Sequence, residues 1–326
     1  MIPNQWYAVL ESSEVKAGRP VGAVRLGERL VFWRDTQDRV TCQRDLCAHR
    51  GAALSAGKVV GDRVQCPFHG LQYDASGQCR LIPANGRDAP VPERFRVHTY
   101  PAAEAHGFIY VWWGDTPAQL PPLPFFSDID DQVFSYSTTR DRWSMHYSRC
   151  IENQLDAVHL PFVHHNTIGR GNRTVVNGPR VVWQDDDLMF IYTDNRVDEG
   201  QRPLKPDEVS TGRAFRLEFQ FPNLWQNHIS DGLRIFISFV PVDEEHTILY
   251  LRSYQKLNRL PVLRDLTNWL AMRFNLVIAH QDRRVVETQR PKKTALKMGE
   301  NLIQGDGPIV AYRMRRNALL EPATKT

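Results

Sequence analysis

The chain has 326 residues, 42% hydrophobic, 24% charged and 10% aromatic; this ordinary globular composition excludes disordered, collagen-like and coiled-coil proteins and suffices for two domains or one large one. Lys and Arg number 41 against 37 Asp and Glu, a net of +4, and residues 283–326 alone carry ten basic and four acidic side chains. With no nucleic-acid-binding motif beside it, that excess reads as a solvated surface or as a docking patch for an acidic redox partner.

In chain order, the first 115 residues read as short strands between turns, with Leu30-Val31-Phe32-Trp33 and Phe108–Trp113 rich in the branched and aromatic residues that favour strands. Gly114-Asp115-Thr116-Pro117 and Leu120-Pro121-Pro122-Leu123-Pro124 form the expected linker, because such a proline cluster continues neither helix nor strand. Residues 148–165 read as helical, broken near Pro161. Phe215, Leu217, Phe219 and Phe221 alternate with Arg216, Glu218 and Gln220, the period of a half-buried strand. Further strands at 233–240 and 248–251 suggest an antiparallel sheet with one covered face. Residues 262–289 lack Gly and Pro and carry Leu266, Trp269, Leu270, Phe274, Val277 and Ile278 at helical spacing, so one long amphipathic helix is expected, stopped by Pro291. The longest apolar runs, such as 236–240, fall far short of the roughly 20 residues of a membrane span. No basic-then-apolar leader opens the chain, so the expected location is the cytoplasm.

Four of the five cysteines, Cys42, Cys47, Cys66 and Cys79, lie within 38 residues, which points to metal or redox chemistry rather than to a disulfide scaffold. Cys47-Ala48-His49-Arg50-Gly51 and Cys66-Pro67-Phe68-His69-Gly70 each pair one Cys with one His. Two Cys and two His can bind zinc, the default for a generic set, or a two-iron cluster. One Cys and one His per loop, at unequal spacing, suits two thiolates on one iron and two imidazoles on the other. Gly51 and Gly70 permit tight turns that bring amide N–H groups to the sulfurs. Cys42, Cys79 and Cys150 read as small buried hydrophobes.

A second constellation is Asp156, His159 and His164. Asp156 and His159 share one face of a helix; His159 and His164, five apart, would diverge on a regular helix, and the break near Pro161 can return them to one metal. Two histidines and a carboxylate make the facial triad of non-haem Fe(II) oxygenases. His165 competes with His164, and Glu287 and Asp265 compete with Asp282 for the distant carboxylate.

The segment Cys47–Gly70 with Arg-Gly after its first histidine, the stretch Glu152–His164, and Asp282 with Glu287 and Gln289 after it resemble the Rieske non-haem iron oxygenases over nearly the whole chain. The resemblance implies an α+β protein: an all-β Rieske domain over 1–115, then a catalytic domain over 116–326 of the helix-grip (START/Bet v 1-like) kind, an antiparallel sheet gripping a long C-terminal helix. It implies one Rieske [2Fe–2S] cluster on Cys47, His49, Cys66 and His69, and one mononuclear Fe(II) on His159, His164 and Asp282. By the same resemblance Asp156 does not ligate iron but holds His159 and reaches His69 of the partner subunit in a head-to-tail homotrimer. Respiratory Rieske proteins carry a disulfide where this chain has Ala52 and Phe68, which implies a potential toward the low end of the roughly −150 to +300 mV range.

The implied activity is a terminal oxygenase of the α-only group, using O2 to monohydroxylate or demethylate a small aromatic or heterocyclic substrate. Ring cis-dihydroxylation is the runner-up chemistry, and an electron carrier without oxygenase activity is the alternative of another class. With no dinucleotide fingerprint in the chain, an NAD(P)H-dependent reductase, with or without a ferredoxin, is the expected partner; nucleic acid and membrane are not. Candidate substrate-pocket residues are Phe219, Phe221, Trp225, Asn227 and Ile237.

Overall fold

The computed structural model describes residues 1–130, 132–212, 215–256 and 260–321. The chain divides into two compact units, Pro3–Leu123 and the part from Pro124 onward. Among the described residues, no helix is long and apolar enough to cross a membrane.

The first unit holds β1 (Gln5–Glu11), β2 (Val21–Arg25), β3 (Glu28–Arg34), β4 (Val40–Arg44), β5 (Lys58–Val60), β6 (Arg63–Gln65), β7 (Gln72–Asp74), β8 (Cys79–Leu81), β9 (Thr99–Tyr100), β10 (Ala102–Ala105) and β11 (Phe108–Trp113). They form three antiparallel sheets, ordered β1-β11-β10, β2-β3-β4-β9 and β5-β6-β7-β8. Buried Phe32, Trp33, Tyr7, Phe108 and Tyr110 make the core, as aromatic strand residues do when both faces are covered. Arg34 clamps the unit internally through two bonds to Glu104, 2.7 and 2.9 Å. The β5–β8 sheet stands on a cluster of Val31, Trp33, Leu54, Val64, Leu71 and Tyr73 that also takes in Cys47, Cys66 and Cys79. All five cysteines are buried and unpaired; burial pushes the thiols of Cys42 and Cys150 far from ionisation.

The second unit contains β12 (Ser135–Trp143), α1 (Tyr147–Leu155), α2 (Leu160–Val163), β13 (Val175–Trp183), β14 (Leu188–Arg196), β15 (Arg216–Gln220), β16 (Leu224–Ser230), β17 (Leu233–Pro241), β18 (Thr247–Gln255), α3 (Pro261–Val286) and α4 (Gly307–Leu320). The strands make one seven-stranded sheet, β12-β18-β17-β16-β15-β14-β13, antiparallel throughout. Ser137 of β12 and Gln255 of β18 bond Asn268 of α3, so the helix lies across that face of the sheet. This is the expected helix-grip arrangement. The sequence reading did not find α4, although Asp306 before Gly307-Pro308 is an ordinary helix start.

Three expectations are corrected. First, β15 is covered on both faces. Its polar side chains turn away from α3, and Arg216 meets Asp128 there; on the same side of the sheet Phe125 and Phe126 pack on Phe236, and Phe134 on Tyr254. Glu218, 2% exposed, joins Arg216, Gln226, His228, Arg234 and Asp128 in one ion network. Burial pushes the Glu218 carboxyl up, and burial with the two guanidiniums holds His228 down. Asp128, Glu218 and His228 could in principle converge on a metal, but two arginines already occupy the carboxylates and would repel a divalent cation.

Second, α3 is turned over. Its sheet side carries Asn268, Met272, Ala279, Asp282 and Val286, all buried, while Leu266, Trp269, Leu270, Phe274 and Val277 are about half exposed. Third, the helix at residues 147–163 breaks at Asp156–His159, not at Pro161, which sits in the first turn of α2. A first-turn proline forfeits no helical hydrogen bond. Asp156 adopts an extended conformation, φ −90° and ψ 126°, and its carboxylate accepts the Val158 N–H at 2.6 Å.

The basic C-terminal stretch is largely spent inside the fold. Arg283 pairs with Asp141, Lys292 with Glu245, Lys293 with Glu244 and Arg315 with Asp187. Arg313 binds Glu152 in a buried two-bond fork, 2.8 Å each, tying α4 to α1.

His146 caps α1 through its Nδ1, which meets the Ser148 N–H at 3.2 Å. Burial, helped by Arg316 and Lys293, pushes its pKa down to about 2. Below the unfolded value near 6.5 the unfolded chain binds a proton that the folded chain refuses. Stability therefore falls as pH drops below about 6.5, by up to about 1.4 kcal/mol per unit. His146→Asn keeps a capping acceptor and removes the titration, so urea midpoints between pH 6.5 and 5 should depend less on pH than in the wild type.

Candidate functional site

In the first unit, Cys47 and Cys66 start two matching turns. Gly51 N–H bonds Cys47 O at 2.9 Å and Cys47 N–H bonds Ala52 O at 2.8 Å; Gly70 N–H bonds Cys66 O at 3.1 Å and Cys66 N–H bonds Leu71 O at 2.8 Å. Gly51 and Gly70 close the turns at φ +75° and +74°, a region costly for any residue with a Cβ. The first loop joins β4 to β5 and the second joins β6 to β7. The cysteines are buried and the histidines exposed, with the His49 and His69 rings edge to face, 4.7 Å between centroids. The backbone N–H groups of Phe68 and His69 reach Cys66; burial pushes its thiol up and these amides oppose that. The Tyr73 hydroxyl lies 3.1 Å from Cys47 Sγ. Two buried sulfurs amid N–H and O–H donors, with two imidazoles at the surface, fit a two-iron cluster with thiolates inside and histidines outside. The sequence reading did not find Tyr73, since a tyrosine in a short strand carries no signal of its own.

In the second unit, His159 Nε2 and His164 Nε2 converge on Asp282 Oδ1 at 3.4 and 2.9 Å. The three ligand atoms lie within 4.8 Å of one another. Asp282 is 2% exposed. Its Oδ1 and His159 Nδ1 are buried without a hydrogen-bond partner, and a bound cation would account for the orphaned oxygen. The residues fit a facial metal site with open positions. Burial opposes charge on His164, but Asp282 beside it prevails and raises its pKa.

The rival ligands lie elsewhere. His165 is exposed and its ring bonds the Phe162 carbonyl. Glu287 accepts the Ser144 N–H, and Asp265 pairs with Arg264 at the surface. Asp156 Oδ2 stands 3.4 Å from His159 Nδ1, so the carboxylate backs the histidine from a helix break rather than along a continuous helix face.

Two supporting side chains escaped the sequence reading. Gln281 Oε1 lies 2.8 Å from His164 Nδ1 and accepts the Thr167 hydroxyl at 2.9 Å, and Gln154 Nε2 donates to Asp282 Oδ2 at 3.2 Å. Gln281 fixes the His164 tautomer with its Nε2 lone pair toward Asp282. Gln281→Leu is expected to lower Fe(II) affinity about 10- to 100-fold, read by titration against a competing chelator, with the cluster spectrum unchanged.

Of the candidate pocket residues, Phe219 and Phe221 pack on Tyr312 of α4, 5.4 and 5.5 Å between ring centroids, deep in the core. Trp225, Asn227 and Ile237 lie on the same sheet face as the residues that bond α3. Trp225 Nε1 and Asn227 Oδ1, with Asn275 Nδ2 on α3, are buried without partners.

Comparisons with known proteins bear on both units. The family model described as Rieske [2Fe-2S] domain matches residues 5–101, and that described as vanillate O-demethylase oxygenase C-terminal domain matches 143–322. The chain is 27% identical over 226 residues to protein TIC 55, chloroplastic, of Pisum sativum, covering 69% of this chain and 39% of that one. It therefore spans well under two thirds of the pea protein. It is 27% identical over 298 residues to methylxanthine N1-demethylase NdmA of Pseudomonas putida, covering 88% of this chain and 81% of that protein. The solved structure of Pseudomonas putida CBB5 NdmA superposes with a TM-score of 0.76 at 24% identity, over 99% of this chain and 96% of that chain. Dicamba monooxygenase bound to dicamba superposes with a TM-score of 0.73 at 19% identity, over 98% of each. These likenesses show the fold.

Proposed function

Because the chain belongs to the Rieske non-haem iron oxygenases, a Rieske domain followed by a vanillate O-demethylase-type oxygenase domain, we propose that it is the terminal oxygenase of a multicomponent system. It takes electrons from a separate NAD(P)H-dependent reductase, directly or through a ferredoxin, and acts in the cytoplasm where that reductant is found. It uses O2 to monohydroxylate or oxidatively demethylate a small aromatic or heterocyclic substrate. The observation that carries this reading is the convergence of His159 Nε2, His164 Nε2 and Asp282 Oδ1 at one buried point.

Iron held by that triad would supply O2 activation, and a cluster on Cys47, His49, Cys66 and His69 would supply single electrons. The chain's own side chains do the rest. Gln281 orients His164, and Gln154 orients Asp282. Asp156 orients His159 and, in a homotrimeric ring, faces His69 of the partner subunit. A carboxylate between two imidazoles can hold both tautomers and take up a change of charge.

For the substrate, Trp225 Nε1 and Asn275 Nδ2 offer donors and Asn227 Oδ1 an acceptor, each buried and unmet by the protein. Such groups cost about 1–3 kcal/mol each when left unpaired, which favours a polar heterocycle carrying both acceptors and donors. The name of the methylxanthine N1-demethylase relative agrees with an N-methyl substrate. The test is single turnover of the reduced protein under 18O2 with a panel of N-methyl and O-methyl heterocycles. Formaldehyde released together with the demethylated ring supports the reading. A ring diol carrying two labelled oxygens would replace it with cis-dihydroxylation. Cluster reoxidation with no oxygenated product from any substrate would leave an electron carrier.

A further inference from the structure

The long helix α3 lays a mixed face on the sheet and turns an apolar one away from it. Opposite the face that lies on the sheet, Leu263, Leu266, Leu270, Phe274 and Val277 form a stripe, each 49–53% exposed. At 100° per residue all five fall within a narrow sector centred on the far side from Met272, Ala279 and Asp282. Trp269 and Val262 widen the stripe, at 58% and 81% exposed, and Arg273 lies over the Trp269 ring at its edge, 5.7 Å from the centroid. No carboxylate or ammonium falls within it, and its one charged group is the Arg273 guanidinium, between Trp269 and Leu266. Seven large side chains, half exposed or more, amount to roughly 700 Å² of apolar surface. That exceeds what monomers ordinarily leave in water, and it approaches the about 800 Å² per partner of a stable interface.

The spacing says what covers it. From Leu263 the steps are three, four, four and three residues, a sequence that reads the same from either end. A two-fold axis through Leu270 sets an antiparallel copy of the helix so that Leu263 meets Val277, Leu266 meets Phe274 and Leu270 meets itself. The five central side chains then each face another, the self-complementarity an isologous contact requires, while Trp269 and Val262 lie outside the symmetric set. An unrelated partner would impose no such symmetry. We propose that α3 pairs with α3 of a second copy of this chain, antiparallel about Leu270, so that the assembly contains an even number of chains.

The pairing does not depend on the ring proposed above, and one experiment separates the two. The mass of the iron-loaded full chain is measured by light scattering, in wild type and in Leu270→Glu, which puts two carboxylates on the axis. With the ring, six chains fall to three; without it, two fall to one. Iron content unchanged in the variant shows that the fold persists. Equal masses in the two proteins would overturn the proposal, whether or not electron delivery from a reductase weakens. So would a fall from three chains to one, which would give the stripe to the ring contact. Helices packed 8–10 Å apart bring residues on a two-fold axis within disulfide reach. On mild oxidation, Leu270→Cys should therefore cross-link to itself. Val277→Cys alone should not, and should cross-link when mixed with Leu263→Cys. Failure of Leu270→Cys to cross-link, or self-linking of Val277→Cys, would rule out the two-fold axis.

Discussion

Asp282→Ala is expected to leave two irons and two acid-labile sulfides per chain, against three irons in the wild type after anaerobic loading with Fe(II). The carboxylate gives Oδ1 to the point on which His159 and His164 converge, at 3.4 and 2.9 Å, and its removal leaves two imidazoles and no anion in a buried site. Two neutral ligands cannot offset the desolvation of a divalent cation as three ligands with one charge do. Substrate turnover should fall by more than about 100-fold, because even outer-shell losses at such sites cost 10- to 100-fold. The cluster spectrum should persist, since its four residues belong to the other unit. Two irons in both proteins would mean that the second site holds no metal.

Asp156→Asn is expected to keep all three irons and still lose about 100-fold in turnover. Asparagine is nearly isosteric and can retain the bond to the Val158 N–H that shapes the helix break. It carries no charge, so it cannot act on His159 Nδ1, 3.4 Å away, through the electrostatic attraction that a carboxylate supplies. Iron content and cluster potential should match the wild type, while the reduced cluster reoxidises more slowly when O2 and substrate are supplied. Unchanged single-turnover rates would confine Asp156 to shaping the backbone.

What could be read in the sequence was what is local. Cys47-x-His49 and Cys66-x-x-His69, each closed by a glycine, carry their geometry within five residues, and the turns at Gly51 and Gly70 follow from that spacing. Pro161 was legible as an interruption but not as a first-turn residue, because only the Asp156 bond to Val158 fixes where the helix breaks. Gln281 and Gln154 have no pattern; they matter through partners 117 and 128 positions away. The strongest hydrophobic period in the catalytic unit misled in direction. Leu266, Leu270, Phe274 and Val277 mark the helix correctly, yet the sheet takes the side with Asn268, Met272 and Ala279. Periodicity reports that a face seeks cover and not which neighbour provides it. Glu218 shows the converse, a charged strand residue buried because Arg216 of its own strand and Gln226 of β16 meet it.

The separation of Asp282 from His159 and His164 also has a consequence for the life of the chain. Six strands, β13 to β18, lie between them in sequence, so the three ligands meet only when the whole sheet has formed and α3 has docked on it. Iron held by these three residues would then bind the finished fold and not its precursors, and mass action would make it a reporter of completion. At free Fe(II) one hundred times its dissociation constant, the folded state gains about 2.7 kcal/mol. Under iron starvation that increment disappears, the population of opened chains rises about 100-fold, and proteases that cleave opened chains are expected to clear the protein faster.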